Sequence, residues 1–121
     1  MKEILVAVAI VVGCVQTAVA EGNTSAGQKV FKRCAACHAV EDGKNKVGPT
    51  MFGVVGRQAG SLEDYKYSDA MRDAGYSWDE EQLAGFLAAP RKHLPGTKMA
   101  FPGLKREGQI TDLIEYLKTL N

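Results

Sequence analysis

The chain has 121 residues, 45% of them hydrophobic, and 15 lysines and arginines against 14 aspartates and glutamates leave a formal net charge of +1. This length fits one compact domain. A charge so near neutral excludes the basic excess that binding to nucleic acid or an anionic membrane surface demands.

The chain opens on Met1 and Lys2, runs through an apolar stretch from Ile4 to Val12, and reaches the small-residue triplet Ala18-Val19-Ala20 directly before Glu21. A positive end, an apolar middle and an A-x-A cleavage site make up a secretory leader. The apolar run falls short of the roughly 20 residues that a helix needs to cross a bilayer core of about 30 Å. Residues 1–20 are therefore expected to be an export signal, and residues 21–121 a soluble, monomeric domain delivered to the periplasm. Val11-Val12-Gly13-Cys14 also resembles a bacterial lipidation box, so a lipid on Cys14 is the alternative to its removal with the leader.

After the leader, Asn23-Thr24-Ser25 offers capping oxygens, and Ser25 with Gln28 fits a capping box that opens a first helix over 25–36. Val30, Phe31, Cys34 and Cys37 recur on it at helical spacing. Residues 39–67 form a long irregular tract punctuated by glycines, which is unusual in a compact domain unless something else supplies a core to wrap. Ser68 can cap a short helix ended by Gly75. Ser77 with Glu80 reads as a second capping box, opening a helix through Trp78, Leu83, Phe86 and Leu87 that Pro90 stops. Ile110, Leu113, Ile114, Leu117 and Leu120 mark a final amphipathic helix. The expected fold class is all-α, with three to five helices and long loops.

Across the end of the first helix runs Cys34-Ala35-Ala36-Cys37-His38, the C-x-x-C-H pattern of c-type haem attachment. Two thiols one helical turn apart can add to the two vinyl groups of a haem, and the adjoining histidine then faces the iron. A cofactor held covalently also suits an exported protein, which would otherwise lose it by dissociation. A thioredoxin-like redox pair would sit beside a βαβ pattern that this chain lacks. Zinc needs four ligands, and beyond these residues the mature chain offers only His93 and no further cysteine.

Haem iron has two axial positions, and His38 supplies one. For the other, the candidates are Met51, Met71, Met99 and His93. Met99 stands in Pro95-Gly96-Thr97-Lys98-Met99-Ala100-Phe101-Pro102, a loop of turn formers where an apolar side chain has no helical face to join, and a thioether is a suitable soft ligand for the iron. Ordinary packing accounts for Met51 and Met71. The basic residues around His93 read as the setting of a solvated surface imidazole.

Gly27 and Phe31 ahead of the cysteine motif, Val47-Gly48-Pro49, Gly56-Arg57, Tyr67-Ser68-Asp69-Ala70, Trp78, Pro95 to Met99 and Asp112 to Leu117 follow in an order and spacing that resembles the class I cytochromes c, soluble bacterial type close to mitochondrial cytochrome c. The resemblance covers nearly all of residues 21–121. It implies the cytochrome c fold around one covalent haem c, with Cys34 and Cys37 as attachment points and His38 and Met99 as axial ligands. Pro49 would accept from the second nitrogen of His38 and so fix the ring. Tyr67 and Trp78 would reach a haem propionate, Arg57 would help neutralise it, and Thr97 would lie nearby. Gly27 and Phe31 would meet Leu113 and Tyr116 where the first and last helices cross. The chain departs from the family where Phe86 replaces a frequent tyrosine and Met71 a frequent asparagine, which leaves the pocket without those polar groups.

Two filled axial positions leave no open site on the iron, so the expected function is single-electron transfer between membrane oxidoreductase complexes or other redox proteins, not catalysis. A second reading is a weak peroxidase formed if Met99 is displaced. Lys29, Lys32, Arg33, Arg91, Lys92, Lys98 and Lys105 would ring the exposed haem edge, while Glu63, Asp64, Asp69, Asp73, Asp79, Glu80 and Glu81 charge another face. Such polarity steers encounter with an acidic partner more than it tightens binding.

Overall fold

The computed structural model describes residues 3–4, 7–14 and 22–121. Among residues 7–14, Ile10 is 83% and Val11 89% exposed, so these apolar side chains add nothing to the core. Met1, Lys2 and the Ala18-Val19-Ala20 triplet lie outside the described residues.

Five helices follow: α1 (Thr24–Phe31), α2 (Asp69–Arg72), α3 (Glu80–Ala88), α4 (Pro90–His93) and α5 (Glu107–Lys118). Among the described residues there is no strand, only an isolated antiparallel bridge between Gln58 and Ser77. None of these helices is long and apolar enough to cross a membrane.

Local chemistry sets the boundaries, in places differently from the expected ones. The cap of α1 is Asn23, whose side chain accepts from the Ala26 amide at 2.8 Å, not Ser25. The helix stops at Phe31 because the next amides reach back only three residues, Arg33 to Val30 at 3.1 Å and Cys34 to Phe31 at 2.7 Å, which tightens residues 32–37 into turns. Ser68 caps α2 through the Met71 amide. Asp79, not Ser77, caps α3 by accepting from Gln82 at 2.8 Å. Trp78 stands ahead of that helix, because its N–H donates to the Arg57 carbonyl and its carbonyl accepts from the Gly56 amide, both at 2.8 Å. Pro90 starts α4 instead of simply ending α3: at the first helical position it forfeits no hydrogen bond.

The frame is the crossing of α1 and α5, on which α3 also packs. Gly27 is the contact point, since a Cβ there would lie 1.9 Å from the Asp112 carbonyl oxygen and 2.8 Å from Tyr116 Cβ. Phe31 and Tyr116 pack beside it with ring centroids 5.5 Å apart and planes tilted by 53°. The expected meeting of Gly27 and Phe31 with this part of the last helix is thus observed. Leu83, Phe86, Leu87, Leu104, Ile110, Leu113, Ile114 and Leu117 continue the core.

His93 is half-buried, contrary to the surface imidazole expected from its basic neighbours. One ring nitrogen, Nε2, pairs with Gln82 Oε1 at 2.8 Å, and the ring packs edge-on to Tyr76 and Phe86. Gly85 makes room for it, as a Cβ there would come within 2.6 Å of His93 Nδ1. Arg91 and Lys92 point to solvent on the same short helix, so charge in the local sequence says nothing about the third side.

Candidate haem site

The irregular tract wraps a cavity of about 380 Å³. Every residue expected to touch the cofactor lines it: Cys34, Cys37, His38, Pro49, Arg57, Tyr67, Trp78, Thr97 and Met99. They come from α1's trailing turn, three loops and the segment after α4, and apolar side chains including Val54, Leu83, Phe86 and Leu87 fill the wall between them.

The turn after α1 places the thiols. His38 N–H donates to the Cys34 carbonyl at 2.9 Å, and Cys37 N–H to the same oxygen at 3.1 Å. Lys46 Nζ caps the free Ala35 carbonyl at 2.7 Å. Cys14, Cys34 and Cys37 are all unbridged. Burial raises the Cys34 thiol above its ordinary value, against the opposing charge of Arg33.

His38 Nδ1 lies 2.7 Å from the Pro49 carbonyl oxygen. A carbonyl can only accept, so Nδ1 carries the proton and Nε2 keeps its lone pair for a metal. Gly48 lets the backbone lie against the ring: a Cβ there would be 2.3 Å from His38 Cε1. Burial lowers the imidazole's pKa. The Pro49 hydrogen bond acts the other way, and the charges of Arg57 and Lys46 lower it further. A ring held neutral and fixed in one tautomer is the state a ligand requires.

Across the cavity, Met99 is half-buried, packed on the core, and held by its amide to Thr97 Oγ1 at 3.4 Å. The turn before it is closed by Thr97 N–H donating to the Leu94 carbonyl at 3.1 Å, with Gly96 at φ +90°. Arg57 supplies the polar edge. Its two terminal nitrogens donate to the Thr50 carbonyl at 3.0 and 2.7 Å, while its Nε is buried without a partner. Thr50 is itself 3% exposed and donates to the Glu41 carbonyl at 2.6 Å. Burial lowers the Arg57 pKa and raises that of Tyr67, and each partly offsets the other's shift. Tyr67 also accepts from the Leu62 amide at 3.4 Å.

These residues fit a haem. Two free thiols, an oriented imidazole, a thioether and an unpartnered buried guanidinium nitrogen surround a space walled by hydrocarbon, and the last of these asks for an acidic group.

Comparison with known proteins agrees. The family model described as "Cytochrome c" matches residues 24–121. The chain belongs to the cytochrome c family. The chain is 50% identical over 101 residues to cytochrome c of Gibberella zeae, covering 82% of this chain and 95% of that one. Cytochrome c2 of Agrobacterium tumefaciens is 48% identical over 101 residues, with 80% and 91% covered. Cytochrome c2 of Blastochloris viridis is 38% identical over 122 aligned positions, with 100% and 95% covered. Among solved structures, cytochrome cH from Methylobacterium extorquens superposes with a TM-score of 0.78 at 48% identity, covering 81% of this chain and 99% of that one.

As a member of this family the protein is an electron carrier and not an enzyme, and it binds one haem c covalently through two cysteines. The relatives give no support to the peroxidase reading. Met51 and Met71, which ordinary packing accounted for in the sequence, do pack on the core and also line the cavity of this cytochrome. Sequence reasoning missed Lys46, Asn45 and Tyr65. Asn45 ties two loops, accepting from the Thr50 amide at 3.0 Å and donating to the Asp64 carbonyl at 3.3 Å. An asparagine among lysines and glycines carries no local mark of that.

Proposed function

We propose that this cytochrome is a periplasmic carrier whose haem is attached through Cys34 and Cys37 and ligated by His38 Nε2 and the Met99 sulfur. The observation that carries the assignment is the convergence of both thiols, the imidazole and the thioether on one cavity. Pro49 orients His38 and strengthens its donation by accepting the hydrogen bond from Nδ1–H. The unpartnered Nε of Arg57 would hold an acidic group of the cofactor, with Tyr67, Trp78 and Thr97 lining the same cavity.

The bound haem supplies an iron that changes oxidation state by one electron. His38 Nε2 and the Met99 sulfur would both hold the iron, leaving no position for oxygen or a substrate. The same two ligands serve both oxidation states, so the protein need not rearrange when an electron arrives. The thioether favours the reduced state relative to a second nitrogen ligand, and the apolar wall, with Phe86 and Met71 in place of polar groups, adds no charge to offset.

Electrons enter and leave where the attachment turn meets solvent. Lys29, Lys32, Arg33, Arg91, Lys92, Lys98 and Lys105 are all exposed, as are the seven acids between Glu63 and Glu81. The basic set is the docking face for acidic membrane or soluble redox partners, met by a monomer. Residues 1–20 direct export and are removed after Ala20.

Mass spectrometry of the purified protein is expected to report an N-terminus at Glu21 and the added mass of one haem, with no lipid. Met99→Ala is expected to leave the haem attached and to let the reduced protein bind carbon monoxide, which the parent does not. Carbon monoxide binding to the parent would overturn the ligand assignment.

A further inference from the structure

Tyr65 lines the cavity without a role assigned above, and it bridges the segments that carry His38's support and Met99. Its hydroxyl donates to the Val47 carbonyl at 2.7 Å, one residue ahead of the Gly48-Pro49 pair on which His38 rests. The ammonium of Lys98, the residue before Met99, lies over its ring at 4.6 Å from the centroid. That same ammonium donates to the carbonyl of Lys66, next to Tyr65 in sequence. Tyr67 braces the ring edge-on at 4.8 Å. Val47, Tyr65 and Lys98 all line the cavity.

We propose that Tyr65 is a positioning residue, a latch on the solvent side that fastens the Met99 loop to the His38 loop through Lys98 and so keeps the Met99 sulfur on the iron. The proposal rests on the reading of Met99 as ligand. The loop around Met99 has few internal bonds of its own: a turn closed at Thr97 and a 3.4 Å contact from the Met99 amide. Its excursions away from the cavity are opposed by what Lys98 holds on to. A cation over an aromatic face and a charge-assisted bond to a carbonyl are made only while the loop is closed, so each shifts the population toward the closed form. A phenylalanine would offer the face without the anchor. The hydroxyl tied to Val47 sets where the face stands, which is why a tyrosine serves at this position.

The test is titration of the ferric holoprotein with imidazole, followed by loss of the sulfur-to-iron charge-transfer absorption. Tyr65→Leu is expected to bind imidazole about fivefold more tightly than the parent, from loss of the cation–ring contact. Tyr65→Phe, which keeps the ring and should fold wherever the leucine variant does not, is expected at about twofold. In a Lys98→Ala background either change is expected to alter affinity by less than about 1.5-fold, because Tyr65 acts through Lys98. Equal effects in both backgrounds, or none in either, would overturn the latch. A general loosening of the fold moves the unfolding midpoint without this dependence on Lys98. Met99→Ala separates the two readings: if it retains the absorption and the parent's affinity, the ligand assignment fails, whatever Tyr65 does.

Discussion

Replacing Gly27 by alanine sets two effects of opposite sign against each other. Inside an isolated helix the change gains about 1 kcal/mol, because glycine surrenders more backbone freedom than alanine. Here the new Cβ would sit 1.9 Å from the Asp112 oxygen, 2.6 Å from its carbonyl carbon and 2.8 Å from Tyr116 Cβ. Two of these are backbone atoms that no rotamer change can move. Relieving the contact means parting α1 from α5 by more than about 1 Å, which already forfeits up to half of each dispersion contact it stretches. The Phe31–Tyr116 pair and the packing around Leu113, 1% exposed, stretch with it. Overpacking against backbone takes the upper end of the usual cost, about 3 kcal/mol, which outweighs the propensity gain and leaves a net loss of about 2 kcal/mol. At about 4–8 °C per kcal/mol for a domain of this size, Tm falls by about 8–16 °C. Thermal unfolding of the holoprotein, followed by circular dichroism, measures it. Gly108→Ala is the control: it lies in the first turn of α5 with nothing within 4 Å of an added Cβ, so it should raise stability slightly. A Gly27→Ala protein as stable as the parent would refute the reasoning about the crossing.

Two further outcomes are expected. The Tyr76 hydroxyl is buried without a partner, and burial raises its pKa above the ordinary 10.0. The folded state therefore holds that proton more tightly than the unfolded one, so its contribution is complete below pH 10 and declines as pH rises past it. Tyr76→Phe should match the parent or exceed it by up to about 1 kcal/mol at neutral pH and lose less on the way to about pH 11; guanidinium midpoints compare the two, and a variant that loses as much as the parent contradicts the buried phenol. If the exposed lysines and arginines steer docking, second-order electron-transfer rates with an acidic partner fall steeply as ionic strength rises, and a flat dependence counts against the basic face.

Chemistry carried by a local run of residues was readable in advance. Cys34 to His38 declare attachment within five positions, Ser68 announces its cap, and the spacing of Ile110 to Leu117 announces α5. The family resemblance then ordered distant residues such as Arg57 and Thr97 around the same cofactor. Contacts made across loops were not readable. Tyr65 meets Val47 18 positions away and Lys98 meets Lys66 32 away, and neither spacing leaves a periodic trace. The start of α3 is ambiguous in sequence because Ser77-x-x-Glu80 and Asp79-x-x-Gln82 both fit a capping pattern, and only the pairing of Trp78 with Gly56 and Arg57 decides between them. The burial of His93 has no local mark because its partners, Gln82, Gly85 and Tyr76, lie outside its own helix.

The cavity has a consequence for what its cofactor would do to the fold. Val54, Leu83, Phe86 and Leu87 line it and belong to the core as well. A group that binds there only when the chain is folded would add to the stability of the folded state. Cofactor and core would then be one packed unit, and a substitution that loosens either would loosen both.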